Sequence, residues 1–150
     1  MTGLGRIEAV CVSDEKGVAK REVLEAVIRE DFGLEGDAHA GSARQVSLLL
    51  FERVREFEEE NGLQIMPGAF GENLLVSGLL KDDLKAGARL CAGNVIMEIT
   101  QLGKECHEGC TITRLTGKCI MPKEGIFARV IRGGRVSKGD EIELLKSAVV

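Results

Sequence analysis

The chain has 150 residues, 20 basic and 24 acidic side chains and a formal charge of −4, enough for one domain with a real hydrophobic core. That balance excludes a general nucleic-acid binder, which needs a basic face to neutralise phosphates, and the five aromatic residues, all Phe, offer few stacking platforms for single strands. No window approaches the roughly 18 apolar residues that a membrane-spanning helix requires.

The N-terminus, MTGLGRIEAVCVSDEKG, lacks the basic start and apolar run of a secretory leader, and five cysteines leave one over from any disulfide framework. The expectation is a reduced, cytoplasmic protein whose thiols are free, metal-bound or reactive.

Arg6 to Ser13 is short and rich in Ile and Val, and reads as a strand ending at the Ser-Asp-Glu-Lys-Gly turn. Residues 21–30 stay open: Val23, Leu24, Val27 and Ile28 fit a helical stripe, while the flanking turns fit a strand. Gly33 to Gly41 is a tight irregular connection, not a phosphate loop, because no Gly-Lys-Ser/Thr follows. Within it His39 reads either as a ligand or general base, or as half of a His-Asp pair that orders the turn.

Arg44 to Leu49 alternates as a strand and leads into a helix over Leu50 to Asn61, with Leu50, Val54 and Phe57 on one face and Gly62 as the stop. Met66 to Leu74 is a second glycine-punctuated loop entering a short strand. Ala88 to Cys91, a Gly93-Asn94 turn, and Val95 to Thr100 form a hairpin pattern. Ile126 to Ile131 is a strand, Gly133-Gly134 a turn, and Glu141 to Leu145 a last strand. Short strands at this spacing predict a closed or nearly closed barrel in a single domain, residues 1–150. Cys11 and Cys91, among apolar residues, read as core cysteines.

The chemistry gathers in Ile99 to Met121. Cys106, Cys110 and Cys119 stand there with His107, one of two histidines, and with Lys104, Arg114, Lys118 and, just beyond, Lys123. Neighbouring cations favour the thiolate, the nucleophilic and metal-binding form of cysteine. Glycines at 103, 109 and 117 break the segment, and loops on a rigid scaffold are where chemistry is usually placed.

Gly36-Asp37-Ala38-His39, Arg44-Gln45-Val46, Pro67 through Leu74, Ile99-Thr100-Gln101 with the downstream Cys106, Gly125 through Val130, and Gly139-Asp140 follow in an order that resembles the MOSC domain. That family is named for the C-terminal domain of molybdenum cofactor sulfurases. The likeness covers nearly the whole chain and implies a β-dominated mixed α/β fold, a partly closed β-barrel with few helices. It also implies a cysteine that carries sulfur as a persulfide toward the molybdenum cofactor, or ligates molybdenum, and by position this is Cys106. Cys106 and Cys110 are then the metal candidates.

The cofactor-binding candidates are Arg44, Asn73, Lys104, His107, Arg114 and Arg129; the three arginines enter because guanidinium grips phosphate oxygens with two prongs. A cysteine desulfurase or molybdenum cofactor enzymes are the implied partners, with sulfurtransferase chemistry. Pyridoxal phosphate is not expected, since no chain remains to hold it. The rival reading is a zinc-stabilised binding module built on Cys106, His107, Cys110 and Cys119, or a redox pair at Cys106 and Cys110. Adjacent Cys106 and His107 would have difficulty facing one ion.

Overall fold

The computed structural model describes residues 3–16, 18–103 and 120–145. In chain order these form β1 (Gly3–Val12), β2 (Arg21–Val23), β3 (Glu25–Arg29), β4 (Gly33–Leu34), β5 (Val46–Leu50) and α1 (Phe51–Asn61). Then come β6 (Leu74–Ser77), a 3₁₀ turn at Lys81–Asp83, β7 (Arg89–Ala92), β8 (Val95–Leu102) and a short α2 (Met121–Glu124). β9 (Ile126–Arg132), β10 (Gly134–Ser137) and β11 (Glu141–Leu145) complete the set.

Seven strands close a barrel in the order β1, β11, β7, β8, β9, β5, β6 and back to β1. Neighbours are antiparallel except β5 and β6, which run parallel and are joined through α1. Strand alternation divides the side chains between two cores. Along β5, Val46, Leu48 and Leu50 enter the barrel interior with Ile7, Leu74, Met97, Val130 and Ile142, while Leu49 faces out. β1 is buried on both sides near its end: Val10 and Val12 point inward, Ala9 and Cys11 outward, past a register shift between Ile7 and Ala9.

The outward residues meet α1, whose Val54 and Phe57 pack with Leu49, Phe70, Leu75, Met121 and Phe127. Phe57 and Phe70 lie edge to face with centroids 5.2 Å apart. Each such buried side chain contributes about 1.5–3 kcal/mol. The small sheet β10-β3-β4 adds Val136, Ile28 and Leu34 to the barrel core.

The barrel, the helix and its glycine stop follow the sequence reading. Gly62 is left-handed (φ 62°) and its N–H donates to the Glu58 carbonyl. Closure is complete across the seven strands, not partial. Residues 21–30 resolve as two strands: Leu24, which a helical stripe would have buried, is 80% exposed between β2 and β3. The Gly133-Gly134 turn is tighter than expected, because Gly134 already opens β10, paired with β3. Cys11 is buried, but Cys91 needs correcting. It lies half-buried on β7, beside the inward Leu90 and Ala92, with its thiol on the Gly93 carbonyl at 3.4 Å. Among the described residues no helix is long and apolar enough to cross a membrane.

Candidate anion cleft at the ends of the cysteine segment

Cross-strand register builds one row on the barrel's outer surface: Gln101 on β8 lies opposite Phe127 on β9, which lies opposite Ser47 on β5. Side chains opposite one another share a face. Arg44, just before β5, lays its guanidinium over the Phe127 ring, 5.5 Å from the centroid. Its Nε donates to Gln101 Oε1 at 3.4 Å, and Gln101 Nε2 donates to the Gly103 carbonyl at 2.8 Å. The Gly103 N–H in turn donates to the Gly125 carbonyl at 2.8 Å. Among the described residues no carboxylate pairs with half-buried Arg44. His39, Arg44, Ser47, Gly71, Met121 and Phe127 line a narrow cleft with room for about 10 Å³, on the order of one water molecule. Gly103 is the last described residue before the cysteine segment and Ile120, beside Met121, the first after it.

Behind the cleft wall lies a buried charge cluster. The Lys20 Nζ stands 2.8 Å from Asp37 Oδ1, with side chains 1% and 0% exposed, and 3.2 Å from His39 Nδ1. The Ser13 and His39 backbone N–H groups donate to the two Asp37 oxygens, each at 3.1 Å. Burial works to raise the Asp37 carboxyl. The Lys20 ammonium and the Ser13 N–H outweigh it and hold the group well below the usual carboxylate range. The His39 ring nitrogen is 3.7 Å from Asp37 Oδ2, beyond bonding length. Since an ammonium has only protons to give, His39 Nδ1 must accept, which assigns the ring proton to Nε2. The Asp37–His39 backbone bond is the turn-ordering pair expected from sequence. Lys20, which ties that turn to the cleft, was not read at all. It sits in a polar stretch with no motif around it, and only its partner seventeen residues away gives it meaning.

The loop before β6 is held by two other buried groups. Glu72, 1% exposed, accepts from the Gly68 N–H at 2.7 Å and the Phe70 N–H at 3.2 Å. Burial pushes its carboxyl up to about 7, against the pull of those N–H bonds and of Lys20. Asn73, fully buried, uses its amide oxygen for the Ser47 N–H (3.0 Å) and hydroxyl (3.1 Å), and its nitrogen for the Cys11 carbonyl (3.1 Å).

Of the residues singled out in the sequence, Arg44 lines the cleft. Asn73 is not among its lining residues, and its amide is hydrogen-bonded to Ser47 and Cys11. Arg129 faces Glu98 at 3.8 Å, half exposed, and is not among the cleft's lining residues. Lys104, Cys106, His107, Cys110, Arg114, Lys118 and Cys119 lie outside the described residues, as does the zinc alternative built on four of them. Among the described residues no group of three or more His, Cys, Asp or Glu side chains could hold a metal ion.

Comparison with known proteins agrees on the fold. YuaD from Bacillus subtilis superposes with a TM-score of 0.79 at 21% identity, covering 96% of this chain and 97% of that one. YiiM from Geobacillus stearothermophilus superposes with a TM-score of 0.74 at 22% identity, covering 97% and 77%. In sequence the chain is 28% identical to YflK of Bacillus subtilis (strain 168) over 141 residues, 87% of this chain, and spans 64% of YflK's length. It is 28% identical to YiiM of Escherichia coli (strain K12) over 160 residues, 94% of this chain and 69% of that protein. The MOSC domain profile matches residues 35–143, which takes in the His39 turn, Arg44, the Glu72 loop, Gln101 and the whole cysteine segment. With most of its length inside that match, the chain belongs to the MOSC domain family.

Proposed function

We propose that this protein is a sulfur carrier acting through Cys106, with the Arg44 cleft as the place where an anionic acceptor or donor is held. One observation carries the reading. The cleft, with a cation unpaired among the described residues, lies where the chain enters and leaves the cysteine segment. Cys106 follows Gly103 by three residues, a reach of about 10 Å at full extension.

Loading would begin with the Cys106 thiolate attacking the outer sulfur of a donor persulfide, of the kind a cysteine desulfurase presents. A new S–S bond forms, the donor's S–S bond breaks, and the donor leaves as a thiolate with no net oxidation. Release to a reduced acceptor needs two electrons. Attack by Cys110 or Cys119 on the inner sulfur supplies them, closing a disulfide and freeing the outer sulfur as hydrosulfide. His39, with its proton on Nε2, offers a donor at the cleft, and Lys20 holds it in that tautomer.

The family association points to the molybdenum cofactor as acceptor, and that group, when bound, would supply the metal that takes the sulfur. The residues present fit its phosphate: Arg44 is a half-buried guanidinium backed by an aromatic ring. With room for only about 10 Å³, far below the roughly 300–1,000 Å³ of pockets that enclose a small molecule, the cleft admits no whole pterin, and an anionic group would be held at its Arg44 edge.

The test is persulfide trapping. Protein incubated with a cysteine desulfurase and cysteine, then alkylated and mapped by mass spectrometry, should carry the label on Cys106. The label should vanish in Cys106→Ser and persist in Cys91→Ser. Label on Cys110 or Cys119 instead would move the acting sulfur. No persulfide on any cysteine, together with stoichiometric zinc whose removal unfolds the domain, would replace the carrier with the zinc module.

A further inference from the structure

We propose that Gln101 is the positioning residue of an oxyanion site at the Arg44 edge of this cleft: its neutral amide steers Arg44 without cancelling the guanidinium charge. The ligand class that follows is a tetrahedral oxyanion, a phosphate or phosphomonoester. The inference rests on reading the Arg44 cleft as the binding end of the sulfur-transfer site.

The amide cannot be turned the other way. The Gly103 carbonyl only accepts, so the NH2 end of Gln101 must face it, at 2.8 Å. That leaves the side-chain oxygen for the Arg44 Nε–H at 3.4 Å. Nε is the inner edge of the guanidinium. Holding it there, with the Phe127 ring against the plane, leaves the two terminal nitrogens for a ligand. A carboxylate at the same position would meet the Gly103 carbonyl with like charge and pair with Arg44, emptying the site of its cation. The other charges nearby do not neutralise it: Asp37 is spent on Lys20 at 2.8 Å, and Glu98 faces Arg89 and Arg129. His39 lines the same cleft beside Arg44. Gln101 thus joins the anion site to Gly103, the residue from which the cysteine segment departs.

The probe is inorganic phosphate at fixed ionic strength, followed through the Arg44 Nε–H nuclear magnetic resonance signal, identified by its loss in Arg44→Lys. In the unaltered protein the signal should shift saturably with phosphate. Gln101→Glu should weaken binding by about tenfold or more, because it places a compensating charge beside Arg44. Gln101→Met, neutral but without the acceptor, should weaken it by only about threefold while moving the unliganded Nε–H signal. A merely structural part for Gln101 would lower the unfolding temperature and phosphate affinity alike in both variants, and that result would overturn the proposal. So would equal affinity in Gln101→Glu, or no saturable shift in the unaltered protein.

Phenyl phosphate binding at least as tightly as inorganic phosphate assigns the site to a phosphomonoester; binding about tenfold weaker assigns it to the free ion. Persulfide formation on Cys106 is measured in the same samples. Persulfide without a phosphate response removes this inference and leaves the carrier reading, whereas a phosphate response without persulfide does the reverse.

Discussion

Between about pH 5 and pH 8.5 this fold should lose about 3 kcal/mol of stability through one side chain, Glu72. Its carboxyl rises from 4.5 to about 7 on folding, chiefly by burial. A difference of about 2.5 pH units at about 1.36 kcal/mol each gives about 3 kcal/mol. The sign follows from the direction. A carboxyl raised in the folded state holds its proton more tightly there, so its contribution is complete below pH 4.5 and is lost as pH rises through about 7. Asp37 works oppositely and in a different window. Its carboxyl is lowered, so its contribution is intact above the ordinary carboxylate range and is lost only on stronger acidification. The Cys11 thiol, pushed up to about 12 by burial and then by the Glu72 and Glu22 charges against Lys20, titrates well above the window.

Urea unfolding across the pH range is the assay. With an m-value of about 1–3 kcal/mol per molar, the midpoint should fall by about 1–3 M. Glu72→Gln has no proton to titrate and should flatten the profile, while its NH2, turned toward the Gly68 or Phe70 N–H, lowers stability at every pH. A stability that stays level or rises from pH 5 to 8, or a Gln variant that keeps the full pH-dependent loss, would refute the reasoning.

Lys20→Met strands the buried Asp37 carboxylate and should cost about 3–5 kcal/mol in urea unfolding, much of it regained when Asp37→Asn is added. If the double variant is no more stable than the single, the pair is not the reason. Asn73→Ala orphans the Ser47 N–H and the Cys11 carbonyl and should cost about 3 kcal/mol while leaving phosphate binding at Arg44 intact in the folded fraction. Native alkylation should modify Cys91 well before Cys11, which should react only on unfolding; equal rates would contradict the burial difference.

Much of the barrel was legible because its strands are long enough to show alternation or are marked by glycine turns: β5 into α1, and the β7–β8 hairpin at Gly93, both read directly. β4 and β10 escaped because two and four residues flanked by glycine carry too little pattern, and their pairing with β3 is a tertiary fact. Leu24 misled because an exposed leucine looks like a buried one in sequence. At the site, Arg44 was legible as a guanidinium in a quoted motif. Asn73 stood in the same kind of motif, and only its three hydrogen bonds reveal a frame residue. Gln101 was quoted without a part to play, since its value lies in a partner 57 positions away.

The single parallel contact between β5 and β6 has an arithmetic behind it. Around any closed ring of strands, direction must return to itself, so the number of antiparallel contacts has to be even. Seven strands make seven contacts, and one of them is therefore obliged to be parallel. A parallel contact forbids a tight hairpin and demands a crossover of a dozen or more residues, usually helical. Here that crossover carries α1 over the outside of the barrel, and it also contains the Glu72 loop. The outer layer that shelters Phe127 and Met121 at the cleft is thus a consequence of parity. Adding or removing one strand would make an all-antiparallel ring permissible, and the wall behind Arg44 would lose its topological reason to exist.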